Sequence, residues 1–288
     1  MALSRRALLK ATATLAAISA AGVGRAGVNA EAAGDGATGA AATALPDAAV
    51  LDASPPALLR LWYPRPATQW VEALPLGNGR LGAMVWGGGK HERIQLNEDT
   101  LYAGGPYDPT PTVALAALPK VRELLFAGHY AEAEALANAT MMATPKKQMP
   151  YQPLADLVLD FFEISETNGY RRELDLATAV AMSTFEARGL QHRREVFVSP
   201  VDQLVAVRLS GDKRGRISLR IGLDTDQPDA TIDADGGVGL LLKGGNQAAF
   251  GIDGKLRYAL RLQVQARGGS LRRVADRIEV RDADEVVL

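Results

Sequence analysis

"EALPLGNGRLGAM", residues 72–84, decides how the rest of the chain is read. Its glycines follow Gly77-x-Gly79-x-x-Gly82, the spacing of a dinucleotide-binding fingerprint. The acidic pair Glu98 and Asp99 stands about twenty residues further on, where that fingerprint places its ribose-binding carboxylate. The fingerprint works only between a strand and a helix. The helix N-terminus holds the pyrophosphate, and the glycines let the backbone approach it. Here Gly82 leads into "AMVWGGG", an apolar run ended by a glycine turn, and no helical pattern separates Gly82 from Asp99. Pro75, just before the motif, disfavours a central parallel strand. The stretch therefore predicts a hairpin with a tight turn at Asn78-Gly79, since both residues tolerate positive φ. Nucleotide binding is set aside.

The pattern continues on both sides. Two short strands flank Gly87-Gly88-Gly89, and in the second Ile94 and Leu96 alternate with Arg93, Gln95 and Asn97, a period of two. In "YQPLADLVLDFFEI", Leu157, Leu159 and Phe161 share a face. "AVAMSTFEARGLQHRREVFVSP" reads as a hairpin turning at "ARGL". Further strands follow in "QLVAVRLSG", "RISLRIGLD", "GLLLKG", "LRYALRLQVQARGG" and "DRIEVRD". Many strands separated by Gly/Asp turns, with no βαβα alternation, predict a mainly β fold: a large antiparallel β-sandwich, or supersandwich. A helical insertion interrupts it near 113–140. Leu118, Val121, Leu124 and Leu125 fall at helical spacing, Pro119 suits a first helical turn and Gly128 a helix end. A second short stripe is formed by Tyr130, Ala133, Leu136 and Ala137, and the two helices are expected to lie over an edge or face of the sheets. The final "ADEVVL" reads as an edge strand, or as a chain stopping partway through a larger protein.

Composition narrows the class. The 288 residues carry 32 Lys and Arg against 33 Asp and Glu, so no charge excess points to nucleic acid or a membrane surface. Cysteine is absent, which removes disulfides, thiolate metal sites and a cysteine nucleophile. Residues 1–30 resemble a twin-arginine export signal: Ser4, Arg5 and Arg6, then Leu8, Leu9 and Lys10, an Ala-rich apolar run and "VNA" ending at Ala30. The run is too short to span a bilayer stably, which takes about 20 apolar residues. It implies a periplasmic or extracellular destination, with no membrane contact after cleavage. Residues 31–54 are Ala/Gly-rich and read as a flexible linker. The folded domain is expected over 55–288.

"TQWVEALPLGNGRLGAMVWGG" followed by "ERIQLNEDTLYAGGP" resembles the opening of the N-terminal domain of glycoside hydrolase family 95, the inverting α-L-fucosidases. "LPKVRELLFAGHYAEAEALA", "YQPLADLVLDF", "HRREVFVSPVDQLVAVRLS", "GIDGKLRYALRLQV" and "DADEVVL" continue the similarity in order, over roughly 58–288. The resemblance implies a β-sandwich ahead of an α/α barrel that carries catalysis on terminal α-L-fucosyl groups, with a glycan substrate and no cofactor. The barrel would start beyond this chain, so no catalytic position is carried over. Two other readings stay open, a stand-alone carbohydrate-binding module and an inactive truncated product.

The residues themselves offer substrate-facing or interface candidates. Inverting glycosidases need an acid and a base typically ~6.5–9.5 Å apart, and the carboxyls to consider are Glu72, Glu98 and Asp99. Asn97, Glu98 and Asp99 lie in a polar loop that reaches a neighbouring domain or caps its own turn. Asn78 and Arg80 lie in the glycine turn as substrate or interface candidates, and Arg80 either clamps a carboxylate across an interface or faces solvent. Tyr102 and Tyr107 suit sugar stacking or an interface, whereas Trp86 reads as core. His91, His129 and His192 lie in separate elements without ligand spacing, so no metal site is expected.

Overall fold

The computed structural model describes residues 59–288. The twin-arginine leader and the linker expected over 1–54 lie outside the described residues. The strands run β1 (Arg60–Tyr63), β2 (Leu74–Gly77), β3 (Leu81–Val85) and β4 (His91–Glu98), followed by helices α1 (Ala114–Phe126) and α2 (Tyr130–Thr140). Then come β5 (Ala155–Phe161), β6 (Asn168–Asp175), β7 (Val180–Ala187), β8 (Leu190–Ser199), β9 (Leu204–Gly211) and β10 (Ile217–Asp224). The last are β11 (Thr231–Ala234), β12 (Gly239–Gly245), β13 (Arg257–Gln263), β14 (Gln265–Arg267), β15 (Ser270–Val274), β16 (Arg277–Ala283) and β17 (Glu285–Val287).

One seven-stranded sheet has the order β1-β6-β7-β8-β9-β17-β14, and a second has the order β15-β16-β10-β5-β4-β3-β2. A three-stranded sheet, β11-β12-β13, completes the set. The pairings are antiparallel, so short turns suffice to join neighbours. Ile94, Leu157, Leu159 and Ile221 of one sheet share a buried cluster with Phe185, Val196 and Val207 of the other. This is the β-sandwich that the period-two pattern predicts. Leu240, Leu242 and Leu262 of the small sheet join the same core.

The turns follow local chemistry. Between β7 and β8, Arg188 and Gly189 both have positive φ (52° and 68°), as a two-residue primed hairpin turn needs. Helix α1 ends in a Schellman motif: Gly128 has φ +79°, its amide bonds the Leu125 carbonyl at 3.1 Å and the His129 amide bonds Leu124 at 2.9 Å. Pro119 departs from expectation, lying inside α1 rather than in its first turn. The helix starts at Ala114, and the one amide bond that proline removes falls close to an end where bonds are already missing. The helices pack more on each other than on either sheet, with Val121 and Ala133 as their buried members. β17 is not an edge strand. It lies between β9 and β14, with Val286 fully buried, and this accounts for its apolar sequence.

Outward-facing residues form charged rows. Arg272, Glu279, Arg220, Asp160 and His91 stand in register across five adjacent strands, with the acids set between the basic side chains. Arg272 and Arg220 reach Glu279 at 3.0 and 3.1 Å, and His91 meets Asp160 at 2.6 Å. Each cross-strand pair is worth roughly 0.2–1 kcal/mol, enough to fix register but too little to drive folding.

The inner face holds a polar cluster that ties down the turn between β3 and β4. Arg172, Ser183 and Arg194 are register neighbours on β6, β7 and β8, and all three are buried. Arg194 pairs with Glu92 at 2.9 Å, both side chains almost fully enclosed. Its two terminal nitrogens also donate to the carbonyls of Gly88 and Gly89. Glu92 accepts the Gly87 amide at 2.8 Å, and the Tyr170 hydroxyl donates to the Gly87 carbonyl. Burial pushes the Glu92 carboxyl up and the Arg194 guanidinium down, each against the pull of its partner. Burial likewise raises the Tyr170 phenol to about 12. Arg172 donates to the carbonyls of Arg65 (2.8 Å) and Glu72 (2.6 Å), tying the β1–β2 connection to the core.

His192 stacks on Phe185, ring centroids 5.0 Å apart. Burial, then the Arg194 cation, lowers its pKa from 6.5 to about 4. The folded state thus binds fewer protons than the unfolded chain between those values. This contribution to stability is complete above pH 6.5 and declines as pH falls toward 4, by at most about 3 kcal/mol. Urea titrations at pH 7 and 5 should show this decline in the wild type and its loss in His192→Phe. Equal pH slopes in the two proteins would refute the assignment.

Candidate functional site

The β2–β3 turn and the end of β4 meet because β2, β3 and β4 form a meander: Gly77 pairs with Gly82, and Gly82 with Asn97. At the turn Gly79 has φ +94°, a region open to glycine at little cost. Asn78 is not in that region, contrary to expectation. It contributes through its side chain, whose Oδ1 accepts the amides of Arg80 (3.0 Å) and Leu81 (2.7 Å). Its Nδ2 donates to the Ser199 carbonyl at 2.8 Å, fastening the turn to the end of β8 in the other sheet.

Arg80 projects from this turn onto Glu98, 3.1 Å away. Glu98 also accepts the Thr100 amide (2.9 Å) and hydroxyl (2.6 Å). Partial burial works to raise its pKa, but the Thr100 bonds and Arg80 outweigh it, so Glu98 is held below the usual carboxylate range. A carboxylate with both oxygens engaged is a clamp rather than a proton donor. The Asp99 amide bonds the Arg80 carbonyl at 3.0 Å, while the Asp99 side chain is exposed. Among the described residues, neither the Asp99 carboxylate nor the Asn97 side-chain amide has a polar partner.

Tyr102 continues the same surface. It bridges Tyr151 on the neighbouring loop, and the two rings meet edge to face at 5.1 Å. The Tyr151 hydroxyl donates to the Glu98 carbonyl at 2.8 Å. Burial, then the Glu98 charge, raises its pKa. Beyond Tyr102 a groove of about 490 Å³ opens, lined by Gly104, Gly105, Met149, Lys255 and Leu256 among others.

The structure thus brings Asn78, Arg80, Asn97, Glu98, Asp99 and Tyr102 to one end of the sandwich. Glu72 is separate, accepting from the Thr68 amide (2.7 Å) and hydroxyl (3.1 Å). Trp86 is half-buried, with Arg93 over its ring at 5.1 Å, so it belongs to the sheet's shoulder rather than to the core. Sequence reasoning missed Met149, Asn246 and Lys255, which reach the site only through long-range loop closure.

Two substitutions separate the parts of the clamp. Asn78→Ala removes four polar bonds, the fourth a long one from Nδ2 to Gln203 at 3.4 Å, and should cost roughly 1–3 kcal/mol. Arg80→Ala breaks one exposed pair and should cost roughly 0.2–1 kcal/mol. Thermal unfolding that shows Arg80→Ala to be the more damaging would reverse the assigned roles.

The fold is a large antiparallel β-sandwich with a polar, tyrosine-flanked loop end. Residues 61–288 match the family model described as glycosyl hydrolase family 65, N-terminal domain, and the chain belongs to that family. It is 37% identical over 171 residues to "Alpha-L-fucosidase 2" of Arabidopsis thaliana, covering 58% of this chain and 20% of that protein. It is 40% identical over 147 residues to "Probable alpha-fucosidase A" of Aspergillus niger, covering 49% and 18%. The Aspergillus oryzae protein of the same name is 27% identical over 160 residues, covering 52% and 21%. The chain therefore spans about a fifth of the length of these relatives.

Proposed function

We propose that the chain is the N-terminal β-sandwich region of a family 95-type inverting α-L-fucosidase, exported by the twin-arginine route. In this reading it supports removal of terminal α-L-fucosyl groups from glycans by an α/α barrel outside these residues, without a cofactor. The observation that carries it is the identity to proteins named as fucosidases. The clamped Asn78–Arg80–Glu98 surface is consistent with it, because a rigid polar loop end is suited to meet a second domain. The loop residues are then interface residues: Arg80 and Glu98 hold its shape, and Asn97 and Asp99 offer unengaged polar groups.

The test is hydrolysis of an aryl α-L-fucoside by the 288-residue chain and by a longer protein that includes a barrel. The expected result is turnover by the longer protein only, weakened when Arg80 and Asp99 are replaced by Ala. Turnover by the 288-residue chain that is lost on changing Glu98 or Asp99 would place the active site here and overturn the reading.

A further inference from the structure

The groove beside Tyr102 is formed by three loops far apart in sequence. Asn246 donates from Nδ2 to the carbonyls of Tyr102 (2.6 Å) and Gly104 (2.5 Å), and its Oδ1 accepts the Leu256 amide at 2.9 Å. The Lys255 amide adds a second bond to the Gly104 carbonyl at 3.2 Å, and the Gly104 amide reaches the Gln247 carbonyl at 2.7 Å. The loops are also closely packed. A Cβ on Gly105 would come within 2.6 Å of the Lys255 stem, and one on Gly104 within 2.9 Å of the Met149 sulfur. The groove is therefore preformed, which lowers the ordering cost of binding. Its volume lies in the roughly 300–1,000 Å³ range of small-ligand sites.

The internal bonding decides what such a site accepts. Both Nδ2 hydrogens of Asn246 are committed, and the Gly104 oxygen already accepts two bonds. The floor thus has little hydrogen-bonding capacity left, and the walls at Met149, Leu256 and Tyr102 are apolar. The exposed Lys255 forms no ion pair among the described residues. A ligand that fits has one apolar flank for the floor and hydroxyls for the rim.

We propose that this groove is a carbohydrate subsite for a 6-deoxyhexopyranose unit. The C5 methyl and the C–H face of the sugar lie against Tyr102, Met149 and Leu256, and its hydroxyls point to Lys255 and the rim. The inference rests on the proposed function for the choice of sugar, since fucose is a 6-deoxyhexose. The subsite itself is assigned from the groove. A hexose with a hydroxymethyl group would bury a hydroxyl against satisfied or apolar atoms, which is unfavourable.

The experiment is amide NMR of the 288-residue chain titrated with methyl α-L-fucoside and with methyl α-L-galactoside, which differ only in the hydroxyl at C6. The expected result is saturable shifts at Ala103, Gly104, Gly105 and Leu256 with the fucoside, and binding of the galactoside weaker by about tenfold. Tyr102→Ala should weaken fucoside binding by about tenfold while Tyr102→Phe retains it, because the ring provides the contact. Shifts away from the groove, equal affinity for the two glycosides, or no binding overturns the subsite. Hydrolysis by the longer protein reads the proposed function separately, so failure of one assay is distinguishable from failure of the other.

Discussion

Arg194→Met will lower the melting temperature more than any change at the surface. The substitution leaves Glu92 buried with its charge uncompensated and strips the carbonyls of Gly88 and Gly89 of their donors. Removing one partner of a buried ion pair costs roughly 3–5 kcal/mol. For a domain of this size that is a fall of roughly 6–20 °C. Glu92→Gln should cost less, because glutamine still accepts the Gly87 amide. The double change Glu92→Gln with Arg194→Met should recover part of the loss but not all of it, since the two glycine carbonyls stay without donors. The cluster lies at the Gly87–Gly89 end of β3, and the candidate site at the Gly77–Leu81 end, a strand length away. The fucoside binding proposed for the groove should therefore be the same in this variant as in the wild type below the melting transition. A single-variant loss under about 1 kcal/mol, read from urea unfolding, would mean that the pair contributes little to the fold.

The parity that revealed the sandwich also indicated this cluster. Ile94 and Leu96 mark the inner face of β4, and the same parity puts Glu92 inside. Val196 and Val198 do the same for β8 and carry His192 and Arg194 with them. An acid and a base on inward positions of facing strands are legible as a pair once the strands are known to face each other, but no single segment states that pairing. The hairpin at Asn78-Gly79 was legible from its residue types, although the part played by Asn78 was not, because a side-chain cap and a positive φ select the same residue. Arg80 and Glu98, 18 residues apart, meet through a local meander that the turn signals imply. The groove was not legible. Tyr102 and Asn246 are 144 residues apart, and nothing in either loop's composition announces the other.

Phe185→Ala will rank with Arg194→Met in its effect, for a different reason. Phe185 is fully buried on β7 and provides a shared apolar plate. Tyr170 stacks on it at 6.1 Å and His192 at 5.0 Å, and the Arg194 guanidinium lies 5.0 Å from its ring centroid. Truncation opens a cavity, costing roughly 3–5 kcal/mol, and lets water reach a cation whose pairing with Glu92 depends on exclusion of water. The two effects share residues, so Phe185→Ala and Arg194→Met should couple and their costs should not add. The histidine gives an independent readout. With Phe185 gone, His192 is better solvated and its pKa should move from about 4 back toward 6.5. The loss of stability between pH 6.5 and 4 should then shrink in Phe185→Ala, as followed by the C2-proton chemical shift of His192 and by unfolding at the two pH values. Strictly additive costs together with an unmoved His192 titration would show that the ring fills space but does not shield the pair.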